Sequence, residues 1–191
     1  MTPQERFMDI YTSFIKREGS EELLAWLMKS DFFCAPASTK YHCSHAGGLV
    51  EHTMNVYDAL VDLIGFYKLT EKYSDETIAI VALLHDICKV NFYKKESKNV
   101  KEDDGRWVKK DVYVIDEKFP CGHGEKSVII AQSQIKLNRE EIYAIRAHMG
   151  GFDTSVKGGD YFIGKIFDKC ELALLLHMAD LVASNMMEQT A

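Results

Sequence analysis

The chain has 191 residues, 47% of them apolar, and a net charge of −6; it is long enough for one domain with a full core and too acidic for general nucleic-acid binding. No stretch reaches the roughly eighteen uninterrupted apolar residues of a membrane span, and residues 1–6 lack a basic start ahead of an apolar run, so neither a membrane anchor nor a signal peptide is expected. The five cysteines, at 34, 43, 88, 121 and 170, are odd in number and show no C-x-x-C spacing, which points to a reduced, cytoplasmic protein.

Helical spacing of apolar residues covers 3–17 and 20–30, the second stretch carrying Leu23, Leu24, Trp26 and Leu27. Gly47-Gly48 opens a long helix to about Leu69, with Leu49, His52, Val56, Ala59, Leu60 and Leu63 on one side. A fourth helix is expected over 75–89, capped by Ser74 or Asp75. The pattern then breaks. Trp107–Asp116 is rich in β-branched and aromatic residues and follows the turn signal Asp103-Asp104-Gly105. A small β-hairpin is therefore expected at about 92–120, ending at Pro120. Helices resume over 125–135, 139–149 and 169–188. The intervening 150–165 holds Gly150, Gly151, Gly158, Gly159 and Gly164 and reads as a mobile loop. The fold class is all-α with a hairpin insertion, in a single domain spanning 1–191.

Charge is unevenly spread. Residues 1–88 carry 13 acidic and 7 basic side chains, residues 89–126 carry 8 and 10, and residues 127–191 carry 8 and 6. The one basic stretch suits a local anionic substrate, although a solvated charged loop would look the same.

Within the apolar run Thr77–Lys89 stand two adjacent polar residues, His85 and Asp86. Burying them is costly unless the lost solvation is replaced, and a metal ion would replace it. His52 and Asp180, both in apolar helical settings, are further ligand candidates, because ligation needs N or O donors converging from rigid elements. Cys34, His42, Cys43 and His45 also cluster, but their spacing matches no common zinc motif.

The order His52, His85-Asp86, Asp180 resembles the HD-domain metal-dependent phosphohydrolases, over about 41–188. His123, at a helix mouth, and His148, at a helix C-terminus, extend the likeness to the two-metal subset. That subset includes the HD-GYP phosphodiesterases and the HD-domain 3′–5′ exoribonucleases. Tyr41–Thr53, with Gly-Gly-Leu-Val-Glu-His-Thr, is similar to the latter. The resemblance implies an HD-domain helical bundle in which His52, His85, Asp86 and Asp180 hold one ion, and Asp86, His123 and His148 a second. The ions would be drawn from Mn, Fe, Ni, Mg or Zn. A single ion, with His123 and His148 contacting phosphate, is the alternative.

The implied activity is hydrolysis of a nucleotide or other small phosphoester, with Asp86 bridging two ions and Lys89 binding a phosphate oxygen or the leaving group. His42, His45, Lys126 and Arg146 are further substrate-binding candidates, and His177 could orient Asp180. The exoribonucleases carry an additional OB domain for which this chain has no room, so long nucleic acid is expected to be a poor substrate. Two other readings stay open. The same ligands suit a di-iron oxygenase, and a non-catalytic nucleotide sensor could share the fold.

Overall fold

The computed structural model describes residues 1–101 and 105–188. Helix α1, Pro3–Phe14, starts at a capping box: Thr2 Oγ1 accepts from the Glu5 amide and Glu5 Oε2 from the Thr2 amide. Helix α2 is Ser20–Lys29, and α3 is Gly48–Phe66. The glycine pair before α3 is sterically required. Gly47 has φ +80°, and a Cβ on Gly48 would lie 2.0 Å from the Cys43 carbonyl oxygen. Helix α4, Asp75–Leu84, opens with Ser74 Oγ accepting from the Thr77 amide, and every residue from Thr77 to Leu84 is buried. A helix apolar all round belongs at the centre of a core. It packs on α3 and on α6, Arg139–Ala147, while α9, Glu171–Val182, closes against α3 and α6. Leu49, Leu60, Ile80, Leu83, Leu84, Leu172 and Leu176 fill the space between them.

Strands β1, Tyr93–Lys101, and β2, Trp107–Ile115, pair antiparallel in the register Tyr93↔Ile115 to Lys101↔Trp107. This is the expected insertion in a mostly helical chain; Asp103 and Asp104 of its turn lie outside the described residues. Helix α5 is His123–Gln132. All five cysteines are free thiols. No helix among the described residues is long and apolar enough to cross a membrane.

Three boundaries differ from the sequence reading. Helix α4 stops at Leu84 instead of running to 89: His85 keeps helical angles, but Asp86 has φ −107° and ψ 17°, and Ile87–Lys89 form a 3₁₀ turn. His85 Nδ1 donates to the Ala82 carbonyl at 2.8 Å, satisfying one of the acceptors that a helix end leaves open. The last helix is α-helical only to Val182 and continues as a π turn, Ala183–Met187. The segment 150–165 contains a 3₁₀ turn at Gly150–Phe152 and two short helices, α7, Thr154–Lys157, and α8, Phe162–Phe167. Asp153 organises it, its Oδ1 capping the Ser155 amide at 2.8 Å and its Oδ2 accepting from Arg146 at 2.7 Å.

One buried charge ties three elements together. The Glu141 side chain is fully buried and accepts from both terminal nitrogens of Arg17 (2.8 and 3.0 Å), Thr77 Oγ1 (3.0 Å) and the Asn138 amide (2.8 Å). Removing the cation strands a buried carboxylate. Arg17→Ala is expected to lower stability by about 3 kcal/mol in urea unfolding at pH 7; a loss below about 1 kcal/mol would show that the remaining neutral donors suffice.

Candidate metal centre

Four helix ends and one helix face meet at one point. His52 lies in the second turn of α3, His85 and Asp86 terminate α4, His123 opens α5, His148 ends α6, and Asp180 sits near the end of α9. His52 Nε2 is 3.4 Å from Asp180 Oδ1 and 3.3 Å from His85 Nε2. Asp86 divides its two oxygens. Oδ2 lies 3.6 Å from both His52 Nε2 and His85 Nε2, whereas Oδ1 lies 2.6 Å from His123 Nε2 and 3.5 Å from His148 Nε2. Two three-ligand groups result, His52–His85–Asp180 and Asp86–His123–His148.

The far side of each imidazole fixes its proton. His85 Nδ1 donates to the Ala82 carbonyl at 2.8 Å and His148 Nδ1 to the Ile145 carbonyl at 2.7 Å. In its neutral form each ring therefore turns an Nε2 lone pair toward the centre. His148 Nε2 is buried with no hydrogen-bond partner among the described residues, a costly state for a polar atom unless a cation takes the lone pair. Neutral imidazole lone pairs facing buried carboxylates are the donor set that divalent ions take, so the residues fit a metal.

Electrostatics agree. Burial holds His85 neutral by pushing its pKa down to about 4. Burial also acts to lower His52, but its hydrogen bonds to Asp180 and Glu188 prevail and raise it to about 9. Burial opposes ionisation of Asp86 and Asp180 too; the Lys89 ammonium beside Asp86, and the His52 imidazole beside Asp180, hold both well below the carboxylate range.

The centre forms the floor of a cleft of about 690 Å³ whose walls include Lys40, Tyr41, His42, Tyr93 and Asn185. Lys89 Nζ is 2.5 Å from Asp86 Oδ2. Lys89, three residues on across the 3₁₀ turn, is paired with Asp86. His42 packs its ring 4.8 Å from that of His52, and its buried Nε2 has no hydrogen-bond partner among the described residues.

Other candidates from the sequence lie elsewhere. His45 is exposed, 3.5 Å from Glu51, and does not line the cleft. Lys126 is buried, donating to Glu117 at 2.7 Å with its ammonium 4.8 Å from the Phe92 ring centre. Arg146 is held by Glu125 and Asp153 and stacks on Phe162. Neither cation lines the cleft, and each is taken up by carboxylates outside it. His177 donates to the His148 carbonyl at 2.6 Å, so it fixes the His148 turn and not Asp180.

Two contributors are absent from the sequence reading. Glu188 accepts from His52 Nδ1 at 3.0 Å, and Ser184 Oγ donates to Asp180 Oδ1 at 3.3 Å. The four-residue step from Asp180 to Ser184 marks that pair as neighbours on one helical face, whereas the π turn breaks the same relation for Glu188.

A family model for the HD domain matches residues 49–185, which include all six donors. The chain belongs to the HD domain family. Comparison with curated proteins and with solved structures gives no match. HD domains bind divalent metals and are mostly metal-dependent hydrolases, so the family and the donor geometry point the same way.

Metal should clamp five helices and stabilise the fold by mass action. A chelator is expected to lower the thermal midpoint by roughly 5–10 °C relative to protein with metal at a hundred times Kd, since that excess is worth about 2.7 kcal/mol. An unchanged midpoint in a preparation free of metal would rule the centre out.

Metal uptake is also expected to depend on pH. Metal-free His52 is protonated below about 9, whereas a ligand must be neutral. Binding therefore releases a proton, and affinity should rise about tenfold per pH unit from pH 6 to 8. Calorimetry in buffers of different ionisation enthalpy counts that proton, and a pH-independent affinity would contradict the assignment.

Proposed function

We propose that this chain is a divalent-metal-dependent phosphohydrolase acting on a nucleotide or another small phosphoester, with two ions at its centre. The observation that carries the reading is the division of Asp86, one oxygen toward His52 and His85 and the other toward His123 and His148. A carboxylate so placed is suited to bridging two cations.

His52, His85, Asp86 and Asp180 would hold one ion, and Asp86, His123 and His148 the other. When bound, such a pair supplies a nucleophile from water at neutral pH and positive charge for the phosphoryl group as its bonds reorganise. Lys89 supplies the protein's own charge. Its ammonium is fixed on Asp86 at the cleft floor, where it would meet a phosphate oxygen or the departing oxygen. The apolar shell around His85 and His148 keeps water from the donors and leaves the cleft as the route of entry.

Charge at the mouth supports an anionic substrate. Lys40 lies where the cleft meets a second groove, of about 680 Å³, which runs along the hairpin beside Lys98 and Lys101. Lys40, with Lys98 and Lys101 of the adjoining groove, thus adds positive charge beside the cleft.

The protein is expected to hydrolyse bis-p-nitrophenyl phosphate or a nucleoside phosphate only with divalent metal added. Asp86→Ala should abolish both metal binding and turnover, and His123→Ala and His148→Ala should each leave about one ion per chain. Lys89→Ala should keep full metal content and lower kcat by roughly 10²-fold, the scale for one charge-stabilising donor. Wild-type stoichiometry in both histidine variants would show that the centre holds one ion and that His123 and His148 face the substrate.

A further inference from the structure

Outside the residues matched to the family, and three positions beyond its end, lies a buried carboxylate with an unusual set of neighbours. The Glu188 side chain is fully buried. Its Oε1 accepts from His52 Nδ1 at 3.0 Å and from Asn55 Nδ2 at 2.9 Å, and its Oε2 lies 3.1 Å from the same His52 nitrogen. Asn55 is three residues after His52, on the same face of α3. The chain reaches this point through the π turn at Ala183–Met187, closed by the Glu188 amide donating to the Ala183 carbonyl at 3.1 Å. Such a turn takes up one residue more than an α turn and so redirects the backbone beyond it; π turns recur at functional sites.

The chemistry of His52 makes this placement consequential. Its ring is flanked by acceptors on both nitrogens, Glu188 at Nδ1 and Asp180 at Nε2. A neutral imidazole keeps one proton, and only the nitrogen without it can bind a metal. His85 and His148 settle that choice by donating to backbone carbonyls. At His52 the acceptor on Nδ1 is a carboxylate instead. With Glu188 absent, Asp180 would draw the proton to Nε2 and block ligation.

We infer that Glu188 is a positioning residue for the metal centre: delivered by the π turn and clamped by Asn55, it keeps the His52 proton on Nδ1 and so reserves Nε2 for an ion. The inference rests on the metal-centre reading above. Carboxylate partners of ligating histidines typically affect metal affinity 10- to 100-fold.

The test is titration of the full chain with Co²⁺, read by its visible absorption and by competition with a chelator, in wild type, Glu188→Ala, Glu188→Gln and Asn55→Ala. Circular dichroism of the metal-free proteins establishes folding. Expected is a 10- to 100-fold loss of affinity for one of two ions in Glu188→Ala, with the ion at Asp86, His123 and His148 bound as in wild type. Glu188→Gln retains an acceptor for Nδ1–H and should recover most of the loss. Asn55→Ala, which leaves the carboxylate in place but unclamped, should fall between them and keeps the question answerable if Glu188→Ala does not fold. Wild-type affinity in Glu188→Ala, or equal weakening of both ions in every variant, would reduce Glu188 to a structural contact. Failure of wild type to take up Co²⁺ would instead overturn the metal centre itself, and this inference with it.

Discussion

The buried carboxylate of Asp86 is the constraint on which the rest of the structure depends. It lies at the end of a helix that is apolar on every side, within 3.6 Å of a nitrogen on each of four histidines and 2.5 Å from an ammonium. A charge in that position is almost wholly withdrawn from water. The surrounding elements bring nitrogens to it, from a face of α3, the start of α5 and the end of α6. The backbone departs from helical angles at Asp86, and Lys89, three residues on, pairs with the carboxylate.

Much of this is legible in the sequence, for identifiable reasons. Apolar periodicity locates α3, α4, α6 and α9 because their buried faces are wide and continuous. The hairpin is marked by its β-branched and aromatic composition. His85-Asp86 is conspicuous because nothing in an apolar run explains it except a partner brought from elsewhere. Helix ends are less legible. The stop at Leu84 depends on a bond from His85 to the Ala82 carbonyl, and the short helices after Gly150 depend on Asp153 meeting Arg146. Neither contact has a periodic signature.

The same distinction separates the site residues. Histidines stand out by type and context. Lysine and arginine do not, since a cation looks alike in sequence whether it faces a substrate or a neighbouring acid. Lys126 and Arg146 each have carboxylates close by, at Glu117, Glu125 and Asp153, and pairing with them removes both from the cleft. Glu188 escapes a sequence reading for the opposite reason. It follows two methionines near the end of the chain, and the π turn sets its inward direction.

The hairpin stands in a different relation to the centre from the helices. Its two ends are fastened together beside the cleft, where the Asp116 amide donates to the Phe92 carbonyl at 2.8 Å and Tyr93 Oη donates to the Ala37 carbonyl at 3.2 Å. None of the six metal-ligand candidates lies within it. It is in effect a cassette: lengthening, shortening or recomposing the ribbon beyond that fastening changes the wall that an incoming molecule meets while leaving the donor geometry in place. On the proposed reading, selectivity and chemistry would then sit in separable parts of this chain, and a lineage could revise the first without risking the second.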